Sequence, residues 1–320
     1  MSPIPRVIAG NVNYLASTVT PSLRRNGQVL TRRNADGSDS GGAGIEIETC
    51  EISIANARID GATCESNGFE LVQKPSDTTR DFYDHTAVLD GYYDECAEIV
   101  QETTGASFVA AFDHNIRSAL GKEKQRRIKS GQEVQGPAHM AHGDYTLASA
   151  PQRLLDLTKP SSGNDTLRDL LGDTPLLPED ATESALAGET RYAIINLWRS
   201  IGEAPVATDA LALCDGRSVV PEDLVVFEIH YADRVGENYF ARPSINHRWL
   251  TYPSMNRDEA LLIKQWDSAG TLAQSSGERG DGSADAPCTF SFHSAFTASD
   301  LDSKAPRRES IEVRCVVLYE

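Results

Sequence analysis

Pro137-Ala138-His139-Met140-Ala141-His142-Gly143-Asp144-Tyr145-Thr146 is the stretch on which the reading of the fold turns. Along an extended chain successive side chains alternate between faces, so His142 and Asp144 point to one side with the small Gly143 between them. An imidazole and a carboxylate aimed at one spot make two of the three donors of the two-histidine, one-carboxylate facial triad. That triad holds non-haem Fe(II) while leaving coordination positions open. The third donor must come from elsewhere, and a fold that returns late strands beside early ones can deliver it.

Of the remaining histidines, His85, His114, His139, His230, His247 and His293, any one taken alone is most simply a packed or surface imidazole. His293 stands apart because it lies in a compact strand-like run, Phe290-Ser-Phe-His-Ser-Ala-Phe296, late in the chain. Further on comes Arg307-Arg-Glu-Ser-Ile-Glu-Val-Arg314. As a strand, it puts Arg308, Ser310, Glu312 and Arg314 on one face and Ile311 and Val313 on the other. A guanidinium with a hydroxyl two residues on makes a pocket for a terminal carboxylate, such as the distal one of 2-oxoglutarate. The same pattern also fits a solvated strand face with an Arg–Glu pair. Arg308 and Ser310 are assigned to the carboxylate, and spacing leaves Arg314 open as the alternative.

Around these motifs most of the chain reads as short strands. Residues 1–45 are weakly patterned, with a Gly, Ser and Asp-rich run from Asn34 to Gly44, and are expected to be a flexible N-terminal segment. Ile45 to Ile59 alternates as one or two strands, and Ser76 to Thr104 switches to helical spacing, with Gly105 where a helix C-terminal glycine sits. Ser107 to Phe112, Arg191 to Trp198, Asp223 to Tyr231, Trp249 to Tyr252, Cys288 to Phe296 and Ser310 to Leu318 read as strands. Asn256 to Glu259 reads as a capped turn that opens into a further strand. Residues 158–190 are acidic, proline-broken and loop-like, an insertion placed directly after the metal-binding stretch where a lid would be. The expected fold is mainly β with added helices: a double-stranded β-helix, or jelly roll, forming one domain over residues 46–320.

Composition narrows the partners. A formal charge of −17 argues against a nucleic-acid backbone, which clustered Lys and Arg would have to neutralise. The one basic run, Lys122 to Lys129, reads as a solvated face. No apolar run approaches a membrane span, and no apolar leader begins the chain, so a cytoplasmic protein is expected. The six cysteines form no C-x-x-C and are expected to be reduced and mostly packed. Asp113-His114 is a poor metal pair, because neighbours on a strand face opposite ways. Cys214-Asp215 lacks an identifiable base, and no phosphate-cradling loop is present.

With these residues in view, the chain resembles the AsaB-like hydroxylase/desaturase family of secondary metabolism. The resemblance runs from about Gly68 to Tyr319. It is carried by Gly-Phe-Glu-Leu-Val at 68–72, Phe-Asp-His-Asn-Ile-Arg at 112–117, His-Gly-Asp-Tyr-Thr at 142–146, Ile-Ile-Asn-Leu-Trp-Arg at 194–199, Leu-Ala-Leu-Cys-Asp at 211–215, Asp-Glu-Ala-Leu-Leu-Ile-Lys at 258–264 and Arg-Glu-Ser-Ile-Glu-Val-Arg at 308–314. The chain departs from the family pattern at Ser200, where proline is usual, and at Asn115, where threonine is usual. The resemblance implies a dioxygenase using Fe(II), 2-oxoglutarate and dioxygen on a small natural-product substrate. It implies His142, Asp144 and His293 as metal ligands. Asn196, Trp198 and Arg199 are candidates for lining the substrate cavity. Two other readings compete: a cupin-like metal-dependent isomerase or hydrolase without the oxoacid, and a non-catalytic jelly-roll binding protein. The oligomeric state is left open, with a homodimer as one choice.

Overall fold

The computed structural model describes residues 7–34, 39–123, 134–161, 166–282, 286–299 and 304–320. Most of the basic run at 122–129 lies outside them. Two β-sheets dominate, one of eleven strands and one of five. The smaller sheet has Tyr192–Ser200 at its centre, flanked by Glu259–Asp267 and Glu309–Leu318, with Phe69–Gln73 and Phe108–Ser118 at the edges. All nine residues of Tyr192–Ser200 and of Glu259–Asp267 are buried. Burial on both faces explains why Tyr-Ala-Ile-Ile-Asn-Leu-Trp does not alternate apolar with polar. One face is covered by the helix Tyr92–Thr104, which packs on Phe108–Ser118, Glu309–Leu318 and Tyr192–Ser200. That helix ends where the sequence predicts, with Gly105 left-handed at φ 68° and its N–H bonded to the Gln101 carbonyl.

The larger sheet contains the two short strands that matter for function. His142–Gly143 lies between Val235–Ala241 and His293–Ala295. Its mate His293–Ala295 also pairs with Leu211–Cys214. Phe292 and Phe290, both fully buried, anchor this end of the sheet; burying each ring is worth about 1.5–3 kcal/mol.

Several expectations change. Much of the supposed flexible N-terminal segment is sheet: Val7–Leu15 pairs along its whole length with Ile47–Asn56, from Val7 opposite Ala55 to Leu15 opposite Ile47. The physical reason is a weak period of two, Ile8, Gly10, Val12 and Tyr14, whose last two members are buried. Asp39–Ala43, inside the expected Gly/Ser/Asp loop, is also a strand, paired with Leu30–Arg33. The strand around His293 is only three residues long, against seven to nine expected from Cys288 to Phe296. Within 158–190, the described part contains two short helices, Arg168–Leu171 and Glu179–Leu186, and packs on the main core through Leu167, Leu177 and Ala185. The Asn256 turn forms as read: Glu259 accepts a hydrogen bond from the Asn256 N–H at 3.1 Å, and the strand begins there.

Candidate metal and oxoacid site

Strand pairing alone brings the distant histidine home. His293 is the cross-strand partner of His142, and their ring centroids lie 4.3 Å apart. Asp144 follows immediately, with His142 Nε2 3.5 Å from its Oδ1. One donor atom from each of His142, Asp144 and His293 falls within 4.8 Å of the others. Gly143 between them keeps the approach close, since a Cβ there would sit 3.1 Å from the Phe290 ring, tight enough that the ring would have to shift.

Each donor is prepared by its neighbours. His142 Nδ1 lies 2.7 Å from the Met140 carbonyl, which uses that nitrogen as donor and leaves Nε2 free to face the carboxylate. Burial, then the neighbouring His293, pushes the His142 imidazole down to about 4, and burial lowers His293 as well. Both rings are therefore neutral at physiological pH, the form that ligates metals. Burial would raise the Asp144 carboxyl, but Arg314, the two imidazoles once protonated at low pH, and the Asn196 hydrogen bond outweigh it and hold the group well below the usual carboxylate range. Its Oδ2 accepts from Asn196 Nδ2 at 2.9 Å and from Arg314 Nε at 3.3 Å, so the other oxygen is left toward the histidines. Its backbone N–H donates to Gln265 Oε1 at 3.0 Å. Gln265 reaches it from the irregular position between Lys264 and Trp266, where the register with Tyr192–Ser200 shifts.

Two neutral imidazoles and one ionised carboxylate, converging from one side, are a donor set that fits a divalent iron with open positions. The fit is to this chemistry rather than to a closed structural zinc site, which takes four protein ligands. Around the same point lies a narrow cavity lined by His142, His293, Arg308, Arg117, Trp198 and Glu312 among others.

Arg308 reaches this cavity although it is only 3% exposed. Its Nη1 donates to the Asp209 carbonyl, its Cζ lies 5.7 Å from the centre of the Trp198 ring, and its Nε has no partner. Burial, then the nearby Arg117, brings the guanidinium down to about 10, so it remains a cation at neutral pH. Ser310 Oγ, also buried, has no partner. Arg314 is engaged differently, with Nη1 on Asp113 at 2.6 Å, Nε on Asp144 and Nη2 3.7 Å from Glu312.

The three residues expected to line a substrate cavity separate by strand parity. Trp198 lines it, and Asn196 on the same face instead grips Asp144. Arg199 is not brought to the site. Its guanidinium lies on the opposite face, donating to the carbonyls of Lys74 and Arg257 and pairing with Glu95 at 3.2 Å. The weaker constellations stay apart too. His114 turns away from Asp113 to meet the Tyr93 hydroxyl at 2.8 Å, and burial pushes the Cys214 thiol up to about 12. Sequence reading missed Arg117, Glu312 and Gln265 as site residues. Parity marks the first two, since Arg117 lies opposite Ser310 and Glu312 follows two residues after it. The irregularity that turns Gln265 inward has no signature in residue order.

A family model described as an oxidoreductase/YMDC permease-like domain matches residues 12–318. Among the described residues, no helix is long and apolar enough to cross a membrane. An uncharacterised protein from Methylophilus leisingeri is 40% identical over 61% of this chain and 91% of its own length. The hydroxylase/desaturase efuI of Hormonema carpetanum is 30% identical over 80% of this chain and 78% of its own. The Fe(II)/2-oxoglutarate-dependent dioxygenase nvfI of Aspergillus novofumigatus is 29% identical over 82% of this chain and 80% of its own. A solved structure of the iron and α-ketoglutarate-dependent endoperoxidase NvfI superimposes with a TM-score of 0.72 and 20% identity, covering 98% of each chain. That likeness speaks to the fold.

Proposed function

The chain belongs to the AsaB-like hydroxylase/desaturase family of Fe(II)/2-oxoglutarate-dependent oxygenases, and from that membership we propose that it oxidises a C–H bond of a small natural-product intermediate. The observation that carries the proposal is the convergence of His142, Asp144 and His293 beside buried Arg308, whose guanidinium makes no direct salt bridge among the described residues and feels the Asp209 and Glu312 carboxylates only at a distance. Fe(II) and 2-oxoglutarate, when bound, supply the oxidising power drawn from dioxygen; the protein supplies position and surroundings.

In this reading His142, Asp144 and His293 hold the metal, and Asn196 and Arg314 hold Asp144 to its task through Oδ2. Arg308 receives the distal carboxylate of the oxoacid through its unused Nε–H, and Ser310 Oγ donates a second hydrogen bond. Both groups are already buried, so the anion they receive is shielded from water and paired at higher strength than at the surface. Trp198 forms the wall against which oxoacid or substrate rests. Thr166, in the insertion after the metal strand, donates to Asp113 Oδ1 at 2.7 Å, and Asp113 in turn holds Arg314. That chain of contacts supports the described part of residues 158–190, from Thr166 on, as a cover over the site.

The test is turnover of 2-oxoglutarate. Purified protein given Fe(II), ascorbate and 2-oxoglutarate should release succinate, and His142→Ala should lower that release at least a hundredfold while the protein stays folded. Succinate release that persists in His142→Ala, or none from wild type with any metal tried, would remove the oxygenase reading. Hydrolysis or isomerisation supported by zinc without the oxoacid would put the cupin-like alternative in its place.

A further inference from the structure

We infer that Asp209 is a positioning residue that ties the oxoacid anchor Arg308 to the segment carrying the first metal ligand, thereby setting the spacing between the metal site and the carboxylate anchor that the oxoacid must span. The inference rests on the reading of Arg308 as that anchor.

Asp209 is one of three non-glycine residues with positive φ among the described residues, at 50°. Asp tolerates this left-handed conformation better than most residues, but the conformation still has a cost that surrounding contacts must offset. Here it lets one residue face two ways. Its main-chain carbonyl accepts from Arg308 Nη1, while its carboxylate takes His139 Nε2 at 3.0 Å. The preceding residue adds a third contact, Thr208 Oγ1 accepting from the Arg308 backbone N–H at 3.1 Å. His139 stands three residues before His142, in the run whose Ala138 lines the cavity and whose Met140 carbonyl orients the His142 ring.

Two segments distant in sequence, 138–144 and the start of the last strand, are thus clasped by a single residue. Among the described residues, neither clasped group hydrogen-bonds the other. Among the described residues no carboxylate pairs directly with the Arg308 guanidinium, and Asp209 and Glu312 act on it only at longer range, so the Asp209 carbonyl is its main fixed point. The His139–Asp209 pair is partly exposed, with side chains 36% and 22% accessible, so its contribution is that of a surface pair rather than a buried one.

The experiment is an anaerobic calorimetric titration of the Fe(II)-loaded full chain with 2-oxoglutarate, beside a separate titration of the metal-free protein with Fe(II). Asp209→Ala and His139→Ala should each weaken 2-oxoglutarate binding by about three- to tenfold. Fe(II) affinity should stay within about twofold of wild type, a split that a general loss of structure would not give. The double variant should bind no more weakly than the weaker single variant, because both cut the same link. Asp209→Asn keeps an acceptor oxygen and tolerance of positive φ, and should restore binding to within about twofold of wild type.

Unchanged 2-oxoglutarate affinity in both single variants, equal losses of Fe(II) and 2-oxoglutarate, or additive losses in the double variant would each overturn the inference. Arg308→Met run alongside separates its failure from that of the underlying reading. If Arg308→Met weakens the oxoacid and Asp209→Ala does not, only the clasp is wrong. If Arg308→Met binds 2-oxoglutarate as wild type does, the anchor and the clasp fall together.

Discussion

Arg308 lines the cavity beside the metal-binding residues and Arg314 grips Asp144 six residues further on, and the protein treats the two in opposite ways. Arg314 meets Asp144, Asp113 and Glu312, so its charge is already spoken for. Arg308 is buried with a carbonyl for company and an unused Nε–H, beside the unused hydroxyl of Ser310. An arginine ringed by carboxylates maintains a site; one buried without them is short of an anion. The difference teaches that residue type and strand parity nominate both guanidinia equally, and that only their partners assign them separate work.

The widest gap between the two should appear in stability. Arg314→Met leaves Asp113, Asp144 and Glu312 clustered without their shared cation, and breaking such a pair costs about 3–5 kcal/mol. Urea denaturation of the metal-free protein would measure it. Arg308→Met should instead leave stability unchanged or slightly raised, because it removes a buried charge that no carboxylate among the described residues pairs directly. A loss in Arg308→Met as large as that in Arg314→Met would erase the distinction.

Next in size is the oxoacid. Arg308→Met should weaken 2-oxoglutarate binding by about ten- to a hundredfold, the worth of about 1.5–3 kcal/mol for a hydrogen bond to a charged group. Fe(II) binding should change little in that variant, whereas Arg314→Met should weaken Fe(II) by loosening Asp144. Equilibrium dialysis with each ligand separately would show the crossover.

The smallest effect sharpens the assignment at Ser310. Its hydroxyl has no partner in the free protein, so Ser310→Ala should cost less than about 0.5 kcal/mol of stability. Loss of one donor to the carboxylate should still weaken 2-oxoglutarate by about two- to tenfold. Stability loss without loss of oxoacid affinity would place Ser310 in the scaffold and outside the pocket.

These contrasts mark what the sequence could say and where it stopped. His142 and Asp144 share a side because a strand alternates, and His293 joins them by strand pairing that its compact aromatic run foreshadows. Arg199 was within reach of the same rule: one residue from Trp198, it had to face the other way. The N-terminal strand carries a weak signal because exposed or half-buried Ala9, Asn11 and Asn13 alternate with Gly10, Val12 and Tyr14, the first of these a glycine, and buried Leu15 then breaks the alternation. Gln265 could not have been found at all from residue order, since its inward turn depends on a slip in register between two fully buried strands. Long-range choices of partner, such as three carboxylates on Arg314 and none on Arg308, arise only once both sheets are assembled.

The most direct measurement is an anaerobic crystal structure of the protein with Fe(II) and 2-oxoglutarate. The expected result is iron held by His142, Asp144 and His293, with the distal carboxylate of the oxoacid on Arg308 and Ser310. Iron bound by other residues, or a distal carboxylate seated on Arg314 in place of its three acidic partners, would contradict it.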